Sequence, residues 1–237
     1  MTQRVRMVAG PNGSGKTTLL DRLREKCNLH RSLNPDDIEA ELKQVGELHF
    51  STWGLQVEQG PLRAFLRRHP LKLRGLQSGV VVRNNILKVD RKDLDGYLAA
   101  ALCDFVRRQW LLHGESFTFE TVMSHPDKVE FLHKAQRRGY RTYLYYVCTT
   151  NPLINCDRVA VRVGQGGHDV PEERIIKRYK KSLSQLLSAI RQSNRAYLFD
   201  NSEKEHLLIA EFKDGKLVWV DQDPPGWFVT HVLNKLA

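Results

Sequence analysis

The chain has 237 residues, 41% of them hydrophobic, and a formal net charge of +10. That is ample length to bury a core, as one large domain or a domain with an insertion, and the apolar content is ordinary for a soluble protein. No stretch is apolar for long enough to cross a bilayer, and the first residues lead straight into a strand pattern, which leaves no room for a signal peptide.

The four cysteines, Cys27, Cys103, Cys148 and Cys156, have no CxxC spacing. They read as reduced thiols of a cytoplasmic protein without membrane attachment. The basic excess is concentrated in Arg63 to Lys92 and in Arg158 to Arg195. Such charge attracts nucleic acid, but equally nucleotides and phosphosugars. Neither stretch interleaves aromatics in the manner of a single-strand stacking surface, so nucleic acid is the less favoured partner.

In chain order, Val5, Met7, Val8 and Ala9 form a short apolar strand. Gly10-Pro11-Asn12-Gly13-Ser14-Gly15-Lys16-Thr17 then fits G-x-x-x-x-G-K-[ST] at every required place. Thr18-Leu19-Leu20 continues as a helix. Strand, glycine turn and helix N-terminus aim backbone N–H groups at one spot, where the helix dipole adds positive potential. Lys16 supplies a mobile charge for the β- and γ-phosphates of ATP, and the Thr17 hydroxyl suits Mg²⁺.

Leu29 to Leu33 reads as a short strand. Asn34 caps a helix with Pro35 at its first position and Asp36-Asp37 in its first turn, running to about Lys43. From His49 to Val89 the pattern is mixed, with a helix over Gln56–Arg68 stopped by Pro70 and strand character at Val80–Val82. Asp93 to His113 is a long helix whose apolar face carries Leu94, Leu98, Ala101, Leu102, Phe105 and Trp110.

Beyond it strands and helices alternate. Ser116–Phe119 is a strand ending on Glu120, Pro126–Arg138 a helix, Thr142–Cys148 a buried strand. Asn151 caps a helix to about Val163. Gly164 to His168 is a flexible loop, and Pro171 opens a helix to about Arg191. Tyr197–Phe199 is a strand ending at Asp200-Asn201-Ser202. Leu207 to Val220 is a hairpin about Asp214-Gly215, followed by a short terminal helix. The expected architecture is α/β: a P-loop kinase-type parallel sheet with helices on both faces, a Gly-rich lid and a C-terminal β-hairpin. One domain is expected over residues 1–237, with a basic insertion at about 45–110 and the hairpin at about 205–221.

The companions of the P-loop select the reaction. An LSGGQ-like signature and an N-K-x-D guanine reader are both absent from the sequence. Instead, polar residues stand at strand ends, where open α/β sheets bind ligands. Asp36 is placed to accept a proton from an acceptor hydroxyl, while Asp37 serves either the helix N-terminus or the substrate. Glu120-Thr121 ends an apolar strand and can orient Mg²⁺ through water or hold a substrate hydroxyl. Arg158 and Arg162 share one helix face at i, i+4, and Arg174 and Arg178 share another. The loop with Gly166, Gly167 and His168 lies between them, so the whole reads as a closing lid that brings cations onto the transferring phosphoryl group. His168 is a hinge or substrate contact.

In order along the chain, Met7–Thr18, Leu33–Ile38, Phe117–Thr121, Arg158–Val163, Gly166–Pro171, Arg178-Tyr179 and Asp200–Ser202 resemble the zeta-toxin family of P-loop kinases. The likeness covers most of the chain outside about 45–110. It implies an ATP- and Mg²⁺-dependent kinase acting on the 3′-hydroxyl of the amino sugar in UDP-N-acetylglucosamine or a similar small acceptor, with a small antitoxin as partner. It implies Asp36 as the base, Lys16 and the lid arginines on ATP phosphates, and Glu120-Thr121 in the substrate cleft. Two other readings use the same residues: a polynucleotide 5′-hydroxyl kinase, and a regulatory module in which the nucleotide is structural.

Overall fold

The computed structural model describes residues 2–69, 79–90, 94–167 and 169–236. It opens with β1 (Arg4–Ala9), α1 (Lys16–Lys26), β2 (Arg31–Leu33), α2 (Pro35–Val45) and β3 (Glu47–His49). Then come α3 (Gln59–Arg68), β4 (Val80–Arg83), β5 (Ile86–Val89), α4 (Gly96–Leu112), β6 (Phe117–Thr121) and α5 (Asp127–Arg137). The remainder is β7 (Arg141–Cys148), α6 (Pro152–Gly164), α7 (Glu172–Arg191), β8 (Arg195–Asp200), β9 (Leu207–Lys213), β10 (Lys216–Val220) and α8 (Gly226–His231). Two compact units result: Met1–His30 with Ser116–Ala237, and Arg31–Glu115. The second therefore takes in more than the expected insertion, including Asp36 and Asp37.

In the first unit the strands run β10-β9-β8-β7-β1-β6. β1 pairs in parallel with both β6 and β7, and β7 pairs in parallel with β8. β9 and β10 join antiparallel, as the Asp214-Gly215 turn requires. A strand with parallel neighbours on both sides needs apolar side chains on both faces. The run at β1 supplies them, for Val5, Met7, Val8 and Ala9 are all fully buried. Against Val8 pack Leu19 and Leu20 of α1 with Leu29, Tyr145 and Val147. This packing fixes how α1 leaves the sheet.

The second unit holds the antiparallel sheet β3-β5-β4. The mixed signal over His49–Val89 has a simple cause: three- and four-residue strands are too short to show a period. Asn84 and Asn85, at φ 51° and 65°, make the two-residue turn between β4 and β5, a conformation that Asn tolerates better than other side chains. Asn85 also accepts from the Val57 N–H at 2.9 Å and donates to the Leu55 carbonyl at 2.8 Å. On α4, the expected face is buried at Leu98, Ala101, Leu102, Phe105 and Trp110. The helix starts later than the pattern suggested, because Asp95 caps it by accepting from the Leu98 N–H at 2.8 Å. Leu94 thus lies outside it.

Trp110 is fully buried and donates its indole N–H to the Trp53 carbonyl at 2.9 Å. Phe50, Phe65 and Phe105 stack edge-on nearby. Trp110→Ala should lower the unfolding free energy by about 3–5 kcal/mol. Val218→Ser, at a site 57% exposed, should change it by less than about 0.5 kcal/mol. Urea titration of both variants checks the contrast.

Candidate active site

The loop from Gly10 to Gly15 leaves the end of β1 and enters α1. Gly15 is the N-cap of α1, at φ 93°, and contributes no side-chain cap. The first turn of α1 also carries no acidic residue, whereas α2 and α7 begin with Asp36-Asp37 and Glu172-Glu173. A helix end that is neither capped by its own side chain nor neutralised by a carboxylate is suited to an external anion. Glycine is needed at Gly10 for a second reason: a Cβ there would stand 2.1 Å from the Val147 carbonyl oxygen. Lys16 Nζ donates to the Pro11 carbonyl at 2.8 Å, so the ammonium lies over its own loop. Thr18 is exposed on the first turn of α1.

Strand pairing brings the first expected carboxylate to this place. Val8 stands opposite Glu120 and Ala9 opposite Thr121. As a result the Thr17 hydroxyl donates to Glu120 Oε2 at 3.0 Å, and Glu120 is only 8% exposed. Thr121 closes the same corner with its backbone: its carbonyl accepts from the Gly10 N–H at 3.2 Å, and its hydroxyl accepts from the Met123 N–H at 3.1 Å. Thr17 and Glu120 give one hydroxyl and one carboxylate, hard oxygen donors of the kind Mg²⁺ takes together with substrate phosphates and water. Among the described residues no group of three or more His, Cys, Asp or Glu could hold a metal unaided. The residues present therefore fit Mg²⁺ brought with a nucleotide.

The lid arginines are placed differently from one another. Arg158 donates to the carbonyls of Asn201 at 2.6 Å, Ser202 at 3.4 Å and Glu203 at 3.0 Å. Arg178 reaches the P-loop itself, with Nη1 3.4 Å from Asn12 Oδ1. Arg162 is half-buried, and its carbonyl accepts from the Gly167 N–H at 2.9 Å. Arg174 is exposed. Gly166, at φ 85°, turns the chain out of α6. Val159, Val170 and Ile175 pack α6 to α7. His168 lies outside the described residues. Asp36 and Asp37 head α2 in the second unit, both exposed, and Asn34 Oδ1 accepts from the Asp36 N–H at 3.0 Å.

Three side chains to which the sequence reading gave no role touch the P-loop directly, although it noted Asn201 at a strand end and in the zeta-toxin likeness. Asn155 Nδ2 donates to the Asn12 carbonyl at 2.6 Å, and Asn201 Nδ2 to the Ser14 carbonyl at 2.8 Å. His206 Nε2 lies 3.0 Å from the Gly15 carbonyl. Asn155 left one sign in the sequence. It is a polar residue on the stretch of α6 that carries the partly buried Cys156 and the buried Val159, and it is fully buried itself. Behind it, Thr149 bonds Asn155 Oδ1, and Tyr179 donates to the Thr149 carbonyl at 2.5 Å. Burial pushes the Cys148 thiol up to about 12, so it is no nucleophile at neutral pH.

Fold and site together define a P-loop protein of the α/β class. The zeta toxin family model matches residues 97–209, which bears out the likeness to zeta-toxin kinases over β6 to β9. The P-loop and Asp36 precede the matched stretch. Among solved structures, the chain is similar to AvrRxo1-ORF1:AvrRxo1-ORF2 with sulphate ions, at 14% identity and a TM-score of 0.57, covering 92% of this chain and 60% of that one. The same complex with ATP gives the same values. It is also similar to the PezAT toxin–antitoxin system of Streptococcus pneumoniae, at 11% identity and a TM-score of 0.50, covering 89% of this chain and 72% of that one. A comparison with curated proteins finds no match. None of the described helices is long and apolar enough to cross a membrane.

His206 is held below its ordinary pKa of 6.5, first by burial and then by Arg22 and Arg158. His30 and His231 are lowered as well, burial again leading. The unfolded chain thus takes up protons below pH 6.5 that the folded chain refuses. Stability should fall as pH drops from about 6.5 toward the lowered folded values. His206→Gln should flatten that slope, which thermal melts between pH 7.5 and 5 would show. An unchanged slope would place His206 outside this linkage.

Proposed function

We propose that the protein is an ATP-dependent phosphotransferase whose acceptor is a hydroxyl of a UDP-sugar, of the UDP-N-acetylglucosamine type, or a similar small phosphorylated compound. The observation that carries the transfer reading is the Thr17–Glu120 pair at the mouth of an uncapped, acid-free P-loop helix. The family match over residues 97–209 supports the class. The UDP-sugar comes from the zeta-toxin resemblance alone.

In this reading the backbone of Gly10–Gly15 and the Lys16 ammonium hold the β- and γ-phosphates. Thr17 and Glu120 would hold Mg²⁺, which neutralises phosphate charge when bound. Asp36 accepts the proton of the acceptor hydroxyl while that oxygen bonds to the γ-phosphorus. The bond from the γ-phosphorus to the bridging oxygen breaks, and ADP carries away the electron pair. Arg162 and Arg178 supply charge to the moving phosphoryl group from α6 and α7. An antitoxin would act as partner, by analogy with the PezAT toxin–antitoxin system. The protein works in the cytoplasm.

Incubating the protein with labelled ATP and a panel of UDP-sugars, nucleosides and 5′-hydroxyl oligonucleotides tests the acceptor. Transfer to a UDP-sugar is expected. Salt-sensitive transfer to oligonucleotides alone would overturn that choice in favour of a polynucleotide kinase. Tight ATP binding without transfer to any acceptor would favour a regulatory module. Asp36→Asn should cut turnover about 10²- to 10⁴-fold, the range for loss of a general base, while ATP affinity stays within about twofold. Normal turnover by that variant would remove Asp36 as the base. Lys16→Ala should cut transfer by about 10²-fold or more.

A further inference from the structure

A loop that turns its amide N–H groups inward toward a phosphate must turn carbonyls outward, and a buried carbonyl needs a donor. Here three outward carbonyls have donors from distant parts of the chain: Asn12 from Asn155, Ser14 from Asn201, and Gly15 from His206, the last as a second donor beside the Leu19 N–H at 3.0 Å. A carbonyl accepts only, so His206 carries its proton on Nε2. Its Nδ1 is buried and has no hydrogen-bond partner among the described residues.

We infer that Asn155, Asn201 and His206 form a donor collar of positioning residues that sets phosphate affinity from behind the P-loop. The chemistry lies in the peptide units. The Asn12 carbonyl shares its peptide plane with the Gly13 N–H, the Ser14 carbonyl with the Gly15 N–H, and the Gly15 carbonyl with the Lys16 N–H. A donor on each carbonyl draws electron density from that unit and makes its N–H a stronger donor, so the collar strengthens the inward-facing bonds as a chain of hydrogen bonds does. It also fixes the loop shape in advance, which removes an ordering cost from binding.

The collar is itself held. The Asn201 N–H donates to the Cys148 carbonyl at 2.8 Å, and Arg158 grips the Asn201, Ser202 and Glu203 carbonyls. Asn155 is braced by Thr149 and, through its carbonyl, by Tyr179. The collar also leaves no room for a side chain within the loop. A Cβ on Gly15 would stand 2.3 Å from Asn201 Nδ2 and 3.0 Å from His206 Nε2, and one on Gly13 would stand 2.4 Å from the Asn155 carbonyl.

The inference rests on the nucleotide-binding half of the function proposed above and is independent of the acceptor. Calorimetric titration with inorganic pyrophosphate and with ADP reads it directly, well below each variant's melting temperature, so that a general loss of stability leaves the dissociation constant unmoved. Asn201→Ala and His206→Leu should each weaken pyrophosphate by about five- to tenfold, the size of one ordinary hydrogen bond. His206→Gln, which restores an N–H donor, should stay within about twofold of the unaltered protein. Affinities unchanged in both Asn201→Ala and His206→Leu would overturn the collar, as would His206→Gln binding as weakly as His206→Leu. If Asn201→Ala fails to fold, the two His206 variants decide, since that side chain is only half-buried. Should the unaltered protein bind neither pyrophosphate nor ADP, the nucleotide reading itself falls, and the collar with it.

Discussion

A P-loop suits an anion by presenting amides to it, and three long-range contacts of the first unit follow from what that does to the loop's carbonyls. Turning N–H groups inward leaves polar oxygens facing a dry interior, for Ser14 is fully buried. Left alone, the Asn12 and Ser14 oxygens would each cost on the order of 1–3 kcal/mol, whereas the Gly15 oxygen also accepts from the Leu19 N–H. The chain answers from three places far apart in sequence: α6, the end of β8, and the loop before β9. Parallel order in the sheet makes this feasible. β1, β7 and β8 all end at the same edge, so the segments that follow them meet there. Asn155 and Asn201 are therefore neighbours of the loop for a topological reason.

The same edge explains Glu120. Parallel pairing of β6 with β1 brings Glu120 level with Val8, two residues before Gly10. A nearly buried carboxylate is costly unless something holds it, and the Thr17 hydroxyl and the positive end of α1 both do. The sequence reading left Glu120 two roles, Mg²⁺ through water or a substrate hydroxyl. A bond to the hydroxyl that suits Mg²⁺ favours the first. One carboxylate would suffice for such an ion, since the remaining charge would arrive with the nucleotide.

Much of this was legible in the sequence, and what was not has a physical reason. The P-loop spacing and the apolar run of β1 are local signals, each written in consecutive residues. So are the 3.6-residue period of α4 and the Asp214-Gly215 hairpin. The collar is not local: Asn155 and His206 meet the loop only through tertiary packing, and neither residue type is unusual where it stands. Of the short strands, Val80–Val82 of β4 was legible as a β-branched run, while β3 and β5 were obscure because three or four residues are too few to establish a period. Asp95 moved the start of α4 because a cap is decided by one hydrogen bond, below the resolution of a periodic pattern.

The arginines show how far spacing can take an argument. Two residues at i, i+4 on a helix do face the same way, and Arg158 and Arg162 do so on α6. Direction does not settle the partner. Arg158 is engaged with three backbone carbonyls of the segment after β8, a task that needs the planar, multi-donor guanidinium and that a lysine would do poorly. It could act on a phosphoryl group only by releasing the segment that carries Asn201. Holding Asn201 in place is of use in every nucleotide-bound state, so the geometry gives Arg158 to the loop's support. Arg178, already against Asn12, and Arg162, one turn beyond Arg158 on α6, are the lid arginines that the proposed transfer assigns to the moving charge.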